Sequence, residues 1–172
     1  MYPISEADRP REVSEFPQSS VGAPCPMLIA DEHTLRICYY LEESRLSSAW
    51  LQSEIRPASS GDSDDLCAMV TFSLVHAHMF GPPNDEAFSG HPLASRGLEP
   101  YGAFEVEHSS WLRSLERINS VHPYHRPERF DRYRHFILSF HDTTFECIAE
   151  SFNVTLRRGS VWRVLAGAQN EV

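Results

Sequence analysis

Two histidines separated by one residue, His76 and His78, stand in the run "FSLVHAHMF", and a loop carrying Asp85, Glu86 and His91 follows directly. Neutral imidazole nitrogens and carboxylate oxygens are the ligands that divalent metal ions take from proteins. On a β-strand, side chains at i and i+2 leave the same face about 6.5 to 7 Å apart at Cα, close enough to converge on one ion. The expectation is a divalent metal held by His76, His78 and His91. Glu86 or Asp85 would act as general base or complete the ligand set, with one coordination position left open for chemistry. The competing reading gives the histidines no metal and makes them hydrogen-bonded groups of a polar pocket or a strand end.

A second group of reactive types lies in "SVHPYHRPERFDRY" (120–133), where His122, His125, Arg126 and Arg129 form part of a basic island in an acidic chain. Guanidinium groups bind carboxylate or phosphate through a bidentate fork, so these four residues are the candidates for holding an anionic small substrate. The alternative is that the charges pair among themselves around an irregular loop. Pro123 biases His122 toward an extended conformation, so the i, i+3 histidines do not form a helix-borne metal pair.

Composition removes several function classes. The chain has 172 residues, a net charge of −9 and fifteen basic residues that are all arginine. Without lysine there is no side-chain Schiff base, hence no covalent pyridoxal phosphate, and no P-loop nucleotide site of the GxxxxGK[ST] type. An acidic balance argues against a nucleic-acid binder and against docking on an anionic membrane. Cys25, Cys38, Cys67 and Cys147 lack paired spacing, and the last three lie in strand-like runs, where they read as small buried hydrophobes. The N-terminus carries no apolar leader and no run is long enough to span a bilayer, so a cytoplasmic location is the expectation.

The elements that would position these residues follow from periodicity. Strands are expected at 34–42, 66–80, 101–108, 134–141, 144–150 and 152–158, the pair 134–150 forming a hairpin around Asp142-Thr143. In the 66–80 strand Val70, Phe72, Leu74, His76, His78 and Phe80 would share one face. Helices are expected over 109–119, with a serine cap and a stripe of Trp111, Leu112, Leu115 and Ile118, and after Ser160; a short one is expected in "SRLSSAWLQSEI" (44–55), with Leu46, Trp50 and Leu51 on one side. Residues 1–23 read as a flexible arm and 24–172 as a single domain. The fold class is α+β, a mainly antiparallel sheet of about five or six strands with one or two covering helices, with a β-barrel as the alternative.

Together these features describe a protein with a histidine-rich pocket. The first functional reading is a metal-assisted enzyme acting on a small anionic substrate. A non-catalytic small-molecule-binding protein is the second, and a protein-interaction module the third.

Overall fold

The computed structural model describes residues 2–52, 55–57 and 63–168. In chain order its strands and helices are β1 (Arg9–Glu12), β2 (Met27–Ala30), β3 (Thr34–Tyr40), α1 (Ser48–Leu51), β4 (Ile55–Pro57), β5 (Leu66–Ser73), β6 (Ala77–Gly81), β7 (Ala103–Glu107), α2 (Ser110–Asn119), β8 (Arg134–Ser139), β9 (Thr144–Ala149), β10 (Ser151–Arg158) and α3 (Val161–Ala168). The fold is α+β, with two open and mainly antiparallel sheets; it is not a closed barrel. One parallel pair, β10 with β4, departs from the antiparallel pattern.

The chain groups into two compact units. The first is Met1–Val13 with Val75–Ser151, and the second is Ser14–Leu74 with Phe152–Val172. Each contains its own sheet, and ten strands are found against the five or six expected. The additions are β6, which is split from the expected 66–80 strand, and β1, β2 and β4, which are only three or four residues long, too short to establish an alternation.

The second unit is built on the order β2-β3-β5-β10-β4. Helix α3 lays Val161, Val164, Leu165 and Ala168 against Cys38, Cys67 and Met69. Phe16, Phe72 and Phe152 form an aromatic group, with Phe16 and Phe152 stacked at 4.2 Å. Cys38, Cys67 and, in the first unit, Cys147 are fully buried free thiols, as their strand positions imply.

The first unit has the order β1-β7-β8-β9-β6. Its N-terminal residues are tied in. Arg9–Glu12 pair with Phe104–Glu107, and the Tyr2 ring stacks on Trp111 at 5.2 Å. Pleating separates two faces. Cross-strand partners Phe104, Ile137, Glu146 and Met79 share one face, while Phe136, Cys147 and His78 share the other. The face bearing Glu146 is covered by α2 and by the 88–98 segment, which buries Phe88, Leu93 and Leu98.

The continuous 66–80 strand does not exist. It breaks at Leu74, which sits in the left-handed region at φ +52 and is 44% exposed. Leu74 and Phe80 are solvent-facing, whereas Val70 and Phe72 are buried, so the proposed common face is lost. A non-glycine residue in this region costs about 1 to 2 kcal/mol. Leu74→Gly is therefore expected to raise stability by about 0.5 to 1 kcal/mol, after the entropy that glycine adds to the unfolded chain. A lower urea midpoint for the variant would contradict that assignment of strain.

Candidate functional site: a buried His–Glu–His network

The polar centre of the first unit is Glu146. It is 3% exposed and lies on β9 between Phe145 and Cys147, both fully buried. Its Oε2 accepts from the Tyr2 hydroxyl at 2.6 Å and from His135 Nε2 at 3.0 Å, while Oε1 accepts from His91 Nε2 at 3.2 Å. The strands set this up. His135 pairs with Ile148 and Ile137 pairs with Glu146, so His135 and Glu146 are diagonal neighbours on one face. His91 arrives from the loop, where its backbone N–H bonds to Phe88 O at 2.9 Å.

Proton positions follow from the outer partners of the two rings. Leu93 N–H donates to His91 Nδ1 at 3.1 Å, which assigns the proton of this imidazole to Nε2, facing the carboxylate. Ser109 Oγ accepts from Leu112 N at 3.1 Å as the N-cap of α2 and bonds to His135 Nδ1 at 2.9 Å. The ionised Glu146 can only accept, so His135 presents Nε2–H to it, and in the neutral ring Nδ1 is then the acceptor of the Ser109 hydroxyl proton. Burial pushes the Glu146 carboxyl up. The hydrogen bonds from His135 and His91 and then from Tyr2 outweigh it and hold the pKa at about 2. Burial, followed by the Glu146 charge, drives the Tyr2 phenol far above its ordinary value.

Ser109, His135 and Glu146 follow the order of a nucleophile, base and orienting carboxylate. Ser109 and His135 also line a cleft of about 430 Å³ that includes Leu112, Phe130 and Tyr133. Acyl transfer needs in addition an exposed nucleophile and donors aimed at a developing oxyanion. Ser109 is 3% exposed, and its oxygen is committed to the cap. The next amide, Ser110 N–H, is bonded to Asp8 Oδ1 at 2.5 Å, and Ser110 Oγ donates to Asp8 Oδ2 at 2.6 Å. A carboxylate thus stands at the helix N-terminus where an oxyanion would need room. Local geometry is that of a doubly capped helix.

The metal set expected from the sequence is not assembled. His78 lies on the sheet face opposite Glu146, because it pairs with Cys147. His76 precedes β6, is exposed, and packs its ring edge-on to Phe130 at 5.4 Å and beside Tyr133 at 5.3 Å; burial lowers its pKa. His91 is buried with both nitrogens engaged. Among the described residues no three His, Cys, Asp or Glu side chains are grouped to hold a metal ion. Glu86 is exposed on the loop and Asp85 is half-buried. The Tyr101 hydroxyl donates to Asp85 and lowers its pKa, and Asp85 Oδ1 caps the Glu86 N–H at 2.8 Å.

The substrate candidates divide. His125 is a clamp, bonding Glu116 Oε1 through Nε2 at 2.7 Å and Asn119 Oδ1 through Nδ1 at 3.0 Å. His122 is exposed and accepts Tyr124 N–H at Nδ1. Arg126 and Arg129 are exposed, form no ion pair among the described residues, and do not line the cleft beside Ser109. Within that cleft Arg134 is already matched by a two-pronged bond to Glu105 at 2.9 and 2.6 Å.

No protein-family model matches the chain, and neither a curated protein nor a solved structure does. No helix among the described residues is long and apolar enough to cross a membrane.

Sequence reasoning missed Glu146 and His135. A usable signal existed, since Glu146 is the single charged residue within "TFECIA" and His135 adjoins the apolar run "FIL". Polar residues set among apolar ones on neighbouring hairpin strands must find partners. Tyr2 and Asp8 had no such signal, because their arm lacks periodicity.

Proposed function

We propose that this chain is a non-catalytic binding protein that acts through a protein partner. The observation that carries the reading is an exposed apolar group at the end of α2. Ile118 is 70% exposed, Val121 89% and Tyr124 77%, all within 118–124. The helix stripe expected from the sequence includes Ile118, yet only Trp111 is buried, with Leu112 and Leu115 half-buried, so the last turn presents its apolar residue to water. Concentrated exposure of large apolar side chains marks interaction sites far more than scattered single residues do.

The segment is also held in shape. Ser120, His122 and His125 N–H groups bond to Arg117, Asn119 and His122 carbonyls at 3.1, 3.0 and 2.9 Å. The His125 clamp returns the chain to α2 at Glu116 and Asn119. A prearranged loop loses little conformational entropy on association, which favours binding. These features support partner binding over the metal-assisted enzyme and the small-molecule binder, both of which rely on histidines that are bonded elsewhere or separated.

Site-specific photocrosslinking in the native cell tests the proposal. A benzophenone amino acid at position 124 is expected to give a discrete protein adduct that disappears when Val121→Asp is added. The same probe at Glu32, an exposed residue of the β2–β3 turn, is expected to give no such adduct. No adduct from position 124, or the same adducts from position 32, would overturn the reading.

A further inference from the structure

We propose that a second cleft of the first unit binds a small organic cation, a protonated primary amine on an apolar body, with its ammonium against Glu146. The cleft shares no residue with the exposed group at 118–124, and the inference does not rest on the partner-binding reading. It holds about 450 Å³ at the outer strand of the sheet, lined by β6, β9 and the loop that follows β6. That volume is within the range of small-ligand sites. Thr144 and Glu146, each 3% exposed, lie two residues apart on β9 and share a face, so they form its inner wall. Met79, Phe80, Pro82 and Pro83 supply apolar surface around it. Gly81 and Gly90 leave it open, since a Cβ at either would meet nothing within 4 Å.

Charge sets the ligand class. Among the described residues that line this cleft Glu146 alone is charged, and none is an arginine or a histidine. His91 and His135 reach the carboxylate as neutral N–H donors, so among the described residues it has no cation beside it. A carboxylate offers about four acceptor directions. Tyr2 and His135 occupy those of Oε2 and His91 takes one of Oε1, which leaves the last on Oε1. Water would fill that position and leave the charge unmatched, whereas an ammonium N–H fills it and matches the charge. The same three donors hold the carboxyl ionised before any ligand arrives, so the anion needs no preparation. The Glu146 side chain is 5% exposed, which admits a single N–H and turns away a quaternary ammonium, bulky and without a donor. A chain of net charge −9 draws cations toward it.

Titration of the full chain with phenethylammonium, followed by amide chemical shifts, tests the assignment. Phenethyl alcohol and the trimethylammonium analogue, which carry the same apolar body, serve as controls. Phenethylammonium is expected to move the Met79, Gly81, Gly90 and Glu146 amides saturably. It should bind about ten-fold more tightly than either control, the effect of one hydrogen bond to a charged group. Gly90 is exposed, has no left-handed φ and has no atom near its Cβ position. Gly90→Trp is therefore expected to fill the cleft and abolish the shifts while the urea midpoint stays unchanged. Glu146→Gln, if its urea transition shows it folded, is expected to bind the amine no better than the alcohol; if it does not fold, Gly90→Trp and the two controls decide. Absence of a saturable shift overturns the inference, as does equal or tighter binding of either control. Shifts that survive Gly90→Trp, or a preference for the amine that survives in folded Glu146→Gln, overturn it too. The crosslink at position 124 is indifferent to all of these results, so the two readings fail separately.

Discussion

Glu146→Ala is expected to remove about 3 to 5 kcal/mol of stability, the cost of breaking a buried charged network by deleting one member. The carboxylate is 3% exposed and accepts from Tyr2, His91 and His135. Truncation leaves two imidazole N–H groups and a phenol without acceptors, in a place water does not reach freely. Glu146→Gln is expected to cost less, because the amide keeps one acceptor, yet it must turn its NH2 toward an imidazole N–H or the phenol. The pH dependence has a definite sign. The folded carboxyl sits at about 2 against an ordinary value of 4.5, so its contribution is fully present above pH 4.5 and is lost as pH falls toward 2. That difference corresponds to roughly 3 kcal/mol at neutral pH. Urea unfolding between pH 2 and 7 measures it. The wild-type midpoint should fall steeply below pH 4.5, and the Glu146→Gln midpoint should fall less. Parallel pH profiles for the two proteins would show that Glu146 is not the anion holding the network.

The same network explains which parts of the structure are legible in the sequence. Where a strand buries at least one face over five or more residues, alternation located it: β3, β5, β7, β8 and β9 lie within the expected runs, and β10 begins one residue before its own. Helices α2 and α3 follow from a serine cap and an apolar stripe. Tertiary context decided the remainder. One left-handed residue, Leu74, converts an apparently continuous run into strands of two different sheets, and no composition signal marks it. His76 and His78 have the spacing of a shared strand face, but His76 lies just before β6 and His78 is on its exposed side, with Ala77 and Met79 half-buried. His91 did reach a buried polar centre, though its partners came from β9 and β8 rather than from its neighbours in sequence. Period-two reasoning finds faces; it does not say which of two faces carries a satisfied polar group.

Asp8 provides the second large effect, and it acts on the helix that carries the exposed apolar group. Its carboxylate is 1% exposed and accepts four bonds, from Ser5 N at 2.6 Å, Ser5 Oγ at 3.1 Å, Ser110 N at 2.5 Å and Ser110 Oγ at 2.6 Å. A negative group at a helix N-terminus also complements the positive end of the helix dipole. Asp8→Ala is expected to cost about 2 to 4 kcal/mol, combining a lost cap with buried donors left unpaired. Burial raises the Asp8 carboxyl, but the bonds from Ser110 and Ser5 outweigh it and leave its pKa below the ordinary 3.8. The stabilisation is therefore present above that value and disappears on stronger acidification. Native-state hydrogen exchange separates the role of Asp8 from that of Glu146. In Asp8→Ala the amides of Ser110 and Leu112 should lose most of their protection, while the β8–β9 ladder keeps its own under conditions where the unit remains folded. In Glu146→Ala the ladder itself should loosen. Unchanged protection at Ser110 in Asp8→Ala would mean that the Ser109 cap alone fixes the start of α2, leaving Asp8 to anchor only the N-terminal residues.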